Sequence, residues 1–197
     1  RLLAALQLSD SFFPAGGIAF SWGLETLRAD GIVRDAAGMQ RVLRSQLRLR
    51  WAPCDRPMLR AALAAIDDGP DALAEVDRRC EAMSLAREWR EASRRLGAAQ
   101  LGVHAALGLT GAAEWLARQR AGEVPAHLPV VQAIVAHGQG FDPVTAEAMS
   151  AYALAVGIAG AALRMGMCGH LDAQRALSAA RADIAALLAE PVVALDD

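Results

Sequence analysis

No lysine and no asparagine occur anywhere in the 197 residues, so all 20 cationic side chains are arginine. That absence removes whole chemistries. A Walker A phosphate loop needs its lysine, a Schiff-base enzyme needs an amine, and a protein kinase needs its strand lysine. Cysteine is scarce as well. Cys54, Cys80 and Cys168 lie far apart and form no CxxC pair, which excludes a disulfide framework and a structural zinc site and leads us to expect a reducing compartment. The formal net charge is only −2, so there is no global field to hold a polyanion, and nucleic-acid binding is disfavoured. The longest run free of Asp, Glu, Arg and His, Ala148 to Leu163, is 16 residues and rich in Ala and Gly. It reads as too short and too weakly hydrophobic to span a bilayer, so the expectation is a cytoplasmic protein with no membrane association.

What the sequence does contain is alanine, at 45 positions, within a hydrophobic fraction of 54% and a charged fraction of 21%. Ala and Leu lead the helix scale, whereas aromatics reach only 5%, so the composition favours helix nearly everywhere. The expected fold is all-α: a single-domain helical bundle of about eight to ten helices over residues 1–197, expected to be homodimeric.

The pattern begins with a short helix from Leu2 to Leu8, broken by the SDSFFPAGG segment at Ser9 to Gly17. A helix from about Ala19 to Asp30 follows, and Asp35 suits an N-cap for another reaching about Arg50. In that helix Met39, Val42, Leu43 and Leu47 form one stripe, with Arg41, Arg44 and Arg48 opposite. Pro53 and Pro57 read as the first turn of a segment to Ile66. Asp71 opens a helix read as continuous through the charged run Arg87–Arg95 to Leu109, with i,i+4 pairs Arg87–Glu91 and Glu91–Arg95. Thr110 caps a segment to Arg120, and a short helix covers Pro129 to His137. Asp142–Pro143 opens a long helix to about Gly166, and a last helix runs from His170–Asp172 to about Glu190.

Few constellations suggest chemistry. Ala19-Phe20-Ser21-Trp22-Gly23 has the outline of a nucleophile elbow, but an elbow needs a strand before it, and no series of strands is expected. Met165, Met167, Cys168 and His170 gather soft donors within six residues. Cys168 and His170 are the candidate metal contact, with core packing as the competing reading. His104, His127 and His137 lack an E-x-x-H partner and read as structural. Gly157 and Gly160 inside the long helix fit either a buried central helix or a homodimer seam. No catalytic residue and no resident cofactor are expected.

The residues Leu6-Gln-Leu-Ser-Asp-Ser-Phe-Phe-Pro-Ala-Gly-Gly-Ile-Ala-Phe-Ser-Trp-Gly-Leu-Glu25 resemble the N-terminal signature of the urease accessory protein F family, close to LLQL.DS..P.G.F..S.GLE. Later features resemble that family in the same order: the helix at Glu91 to Gly97, the Ala/Gly-rich helix, then Arg164 before a Gly-rich turn and Gln174. After Arg164 the family usually reads P-L-G-Q-T-x-G-Q. Here the turn is Met167-Cys-Gly-His170-Leu-Asp-Ala173-Gln174, which changes a Gln and a Gly to His170 and Ala173.

The resemblance implies a non-enzymatic, all-helical, homodimeric assembly chaperone. Such a protein binds accessory protein D (also called H) and the accessory GTPase G to deliver nickel into apo-urease, with a transient nickel contact as the only metal chemistry. The partner-binding residues carried over are Ser11, Phe12, Pro14, Gly16, Gly17, Phe20, Ser21, Gly23, Leu24, Glu25, Arg164 and Gln174. The segment 9–20 would be the recognition loop, with Ser21 and Glu25 four apart on one helix face. The same loop residues would equally serve to pin the N-terminus to the core. A different class, the all-helical dimeric ligand-responsive transcriptional repressor, shares the fold class. It would carry a basic helix-turn-helix near its start, whereas residues 2 to 33 hold only Arg28.

Overall fold

The structure, a computed structural model, describes residues 1–10, 13–14 and 20–193, and all regular structure among these is helical. The elements are α1 (Leu2–Leu8), α2 (Leu24–Ala29), α3 (Ala36–Gln46), a π-helical stretch (Leu47–Asp55), α4 (Arg56–Ala65), α5 (Pro70–Met83), α6 (Arg87–Ala106), α7 (Ala112–Arg120), α8 (Leu128–Gly138), α9 (Pro143–Arg164) and α10 (His170–Ala189).

Short polar side chains set several of these boundaries. Asp35 accepts the Gly38 N–H at 2.8 Å, and Asp142 accepts the Thr145 N–H at 3.0 Å just before Pro143, as their capping chemistry predicts. Four boundaries differ from expectation. The helix expected from Ala19, itself outside the described residues, begins only at Leu24, because Trp22 (φ 55°) and Gly23 (φ 83°) are left-handed, and a helix cannot run through them. The long helix expected after Asp71 is two helices, since Ser84 turns its hydroxyl onto the Cys80 carbonyl at 2.7 Å and leaves helical geometry. Gly111, at φ 80°, caps α7 in place of Thr110. The helix begun at Asp35 does not end near Arg50: it widens into π geometry and carries Pro53 inside it.

Two hydrophobic clusters form the core. One joins α2, α3, the π stretch, α9 and α10 around Leu43, Trp51 and Ile158. The other joins α4, α5, α7 and α8 with Leu101 of α6, around Leu59, Trp115 and Val131. The expected stripe is correct, because Met39, Leu43 and Leu47 are buried while Arg41, Arg44 and Arg48 are exposed. Among the described residues, α9 alone is long and apolar enough to cross a membrane, yet over half of its most apolar stretch is buried inside the protein.

Polar bonds run between the two clusters. The indole N–H of Trp51 donates to Ser150 Oγ at 3.1 Å, and that hydroxyl donates to Gln132 Oε1 at 2.8 Å. Beside them, Arg56 Nε donates to Glu147 at 2.9 Å, while its other nitrogens donate to the carbonyls of Leu187 (2.7 Å), Leu188 (3.2 Å) and Glu190 (3.1 Å). Arg60 pairs with the second oxygen of Glu147. One guanidinium therefore neutralises a buried carboxylate of α9 and caps the C-terminus of α10.

Removing one member of such a pair leaves an uncompensated charge. Arg56→Met is expected to cost about 3–5 kcal/mol in urea unfolding, and adding Glu147→Leu should recover much of that loss.

Candidate functional site

The N-terminal segment enters α2 through Phe20, Ser21 and Trp22, and the rest of the fold grips these residues. Trp22 lies against α9, where Gly157 has no side chain: a Cβ there would come within 2.6 Å of the indole nitrogen. Arg164, at the end of the same helix, reaches the Phe20 carbonyl at 3.4 Å. Arg95 of α6 stands over the Phe20 ring, 5.5 Å from its centroid. On the opposite wall Trp89 approaches Trp22 at 6.1 Å, and Arg50 from the π stretch stacks over both indoles, at 5.3 Å and 4.2 Å. Phe13, nearer the start, packs on the buried His104 ring at 5.1 Å. The result is an arginine–aromatic cluster drawn from four distant parts of the chain.

Its electrostatics are one-sided. Arg50 pairs with the carboxylate of Asp55 at 3.2 Å, and burial pushes that carboxyl up while Arg50 pulls it down. Arg95 and Arg164 make no ion pair with a carboxylate among the described residues. Trp22 Nε1 and Arg50 Nη1 are both buried donors without an acceptor. A surface of this kind offers cations and aromatic area, the chemistry that dominates the centre of protein interfaces.

Of the residues expected at a partner surface, Ser11, Phe12, Gly16 and Gly17 lie outside the described residues. Pro14, Gly23, Glu25, Arg164 and Gln174 are exposed, and Phe20 and Ser21 are half-buried. Leu24 is not available to a partner: it is fully buried in the core. Nor do Ser21 and Glu25 share a helix face, because Ser21 precedes the left-handed pair that starts α2. The elbow reading fails too, since no strand is present among the described residues. Gly157 serves Trp22 of its own chain, so that position of the small-residue run is already filled. Ala173 is buried in the core and His170 is exposed. Cys168 is half-buried, and burial, with Asp172 nearby, pushes its thiol up, which disfavours the thiolate a metal would need. No group of three or more His, Cys, Asp or Glu able to hold a metal occurs among the described residues.

The sequence reading missed the cluster's other half, Arg50, Trp89 and Arg95, because cation–aromatic stacking across four elements has no local spacing to reveal it. It also missed the roles of Ser93 and Gly97. Ser93 Oγ lies 3.0 Å from His127 Nδ1, and His127 Nε2 lies 2.7 Å from Glu81. This has the outline of a Ser–His–carboxylate triad, but the Leu128 N–H donates to the same hydroxyl at 3.1 Å, and Ser93 and His127 are buried. Asp77 accepts the Ala126 and His127 N–H groups at 2.8 and 2.9 Å, and a Cβ on Gly97 would drive into the Ala126 carbonyl. The group is a clamp on the loop before α8, allowing Ala126 its left-handed backbone.

Fold and site together define an all-helical protein whose distinctive surface is an arginine–aromatic recognition cluster. The UreF family pattern matches residues 33–181, about three quarters of the chain. The chain belongs to the UreF family. It is similar to the urease accessory protein UreF of Yersinia pseudotuberculosis serotype IB (strain PB1/+), at 29% identity over 186 residues, covering 93% of this chain and 81% of the relative. The urease accessory protein UreF of Yersinia enterocolitica is 28% identical over the same coverage. The matched pattern starts after Glu25, so it supports the N-terminal resemblance independently. The transcriptional-repressor alternative is not favoured.

Two measurements probe this region. Gly157→Ala should dislodge Trp22, red-shift tryptophan emission and cost about 1–3 kcal/mol in urea unfolding. Burial pushes the Glu81 carboxyl up, but hydrogen bonds from Arg94 and His127 outweigh it and hold Glu81 below its usual value. Its stabilisation is thus present above about pH 4.3 and is lost as pH falls through the lower folded value. Wild-type stability should fall more steeply below pH 4.3 than that of Glu81→Gln.

Proposed function

We propose that this chain is a urease accessory protein, an assembly chaperone that binds accessory protein D (also called H) and the accessory GTPase G and promotes nickel insertion into apo-urease. The observation that carries this reading is membership of the UreF family over residues 33–181. The relatives' names supply the urease connection. The arginine–aromatic cluster supplies the means, because Arg95 and Arg164 stand ready for a partner's carboxylates beside the aromatic anchors Phe20 and Trp22. In this reading the chain works in the cytoplasm as a homodimer, has no resident cofactor and catalyses no reaction. Nickel is cargo. Its contact with this chain would be transient, through Cys168 and His170.

The first test is size-exclusion chromatography with light scattering, on the chain alone and then with the cognate accessory protein D and nucleotide-loaded GTPase. A dimer that co-elutes with both is expected, and Arg164→Ala with Arg95→Ala should weaken co-elution at least about ten-fold without unfolding the chain. A folded chain that ignores folded partners would overturn the reading. For the metal contact, calorimetry should give a nickel isotherm that Cys168→Ala/His170→Ala lacks, and identical titrations would remove that contact.

A further inference from the structure

A cavity of about 270 Å³ lies between the end of α1, Phe13, α6, α8 and α9. That volume sits near the lower end of the range for small-molecule sites. Val135, Ala136, Phe141, Met149 and Val156 give it apolar walls, while Gly157 and Gly160 leave one strip of α9 without side chains. Seven of the described lining residues are polar or charged, and two of them, Gln132 and Ser150, already bond to each other. Arg164 lines the cavity, and its only hydrogen bond among the described residues is the 3.4 Å one to the Phe20 carbonyl. Arg95, on the ring of the same Phe20 and within Coulombic reach of Glu91, adds a second cation nearby. Among the described residues Asp10 is the one acid on the wall, and it is engaged by an interaction of its own. Gln100 also faces the cavity, and its Oε1 is buried without a donor among the described residues.

An apolar chamber with a guanidinium at its margin selects for charge as well as size. An aliphatic tail would gain roughly 25 cal/mol per Å² of apolar surface removed from water. A carboxylate head would meet Arg164 in a charge-assisted pair, which an alcohol cannot form and an ammonium group would oppose. The unpaired Gln100 oxygen offers a hydroxyl or amide N–H along the tail a place to donate. The geometry points to a binding site for a small amphipathic carboxylate, a short- to medium-chain aliphatic acid, held tail-inward with its head on Arg164. This ligand site goes beyond the assembly role and does not depend on it.

The test is calorimetry on the full chain alone, with sodium octanoate, 1-octanol and octylammonium chloride below their aggregation concentrations. Octanoate should bind saturably, one per chain, at least about ten-fold tighter than the other two. Arg164→Gln should weaken octanoate about ten-fold and leave 1-octanol unchanged. Ala153→Phe, at an exposed α9 position on the cavity wall, should abolish binding of all three while circular dichroism reports an intact fold. Equal affinity for the three probes would overturn the site, as would octanoate binding that survives Ala153→Phe. No saturable binding would also overturn it, and would leave the chamber as a socket for a polypeptide side chain. Because no partner is present, neither result bears on whether the chain binds urease accessory proteins.

Discussion

The Arg56–Glu147 pair is the constraint on which the architecture turns. A carboxylate with no solvent exposure sits in α9, and desolvating it is tolerable only because Arg56 and Arg60 bond to it. Arg56 in turn satisfies three carbonyls at the end of α10, so α4, α9 and α10 cannot shift independently. The indole–hydroxyl–amide chain through Trp51, Ser150 and Gln132 runs parallel to it. Two cores that are largely aliphatic, and so weakly sensitive to exact register, are fixed to one another by these directional bonds. Alanine-rich cores need such pins, because small interchangeable side chains specify orientation weakly.

The same logic governs the N-terminal segment, whose end is held by contacts instead of by helix propensity. Trp22 adopts a left-handed backbone, uncommon for a bulky side chain, and stays there because Gly157 yields space and Arg50 and Trp89 close over it. The segment's position thus reports on the packing of α6, α9 and the π stretch at once. A partner that touched Phe20 or Trp22 would in effect be touching three helices.

Much of the fold was legible in the sequence wherever the cause was local. Asp35 and Asp142 announce their helices because a cap acts over three residues, and the Met39–Leu43–Leu47 stripe is periodic. Several of the errors fall where distant atoms decide. Nothing near Ala19 reveals that Trp22 will be pinned by Gly157, and nothing near Leu24 separates a core leucine from a surface one inside a family signature. The break at Ser84 depends on one hydroxyl choosing a carbonyl over solvent. For the site, the signature located the segment and Arg164, while Arg50, Trp89 and Arg95 became visible only once the chain had folded around them.

The π-helical stretch from Leu47 to Asp55 joins α3 to α4 with no break in the winding, yet it turns more slowly than the helices it joins. It therefore sets a phase. Arg50 is delivered to the indoles and, six residues later, Arg56 to Glu147, two targets in different parts of the protein. In an α-helix each residue advances the winding by about 100°. Loss of a single residue here, with the stretch relaxing to ordinary α winding, would rotate α4 relative to α3, carrying Arg56 off its carboxylate and Leu59 out of its core. The length of this stretch is consequently fixed to the residue even though four of its nine residues are exposed, and insertions or deletions tolerated in a loop of equal exposure would be intolerable there.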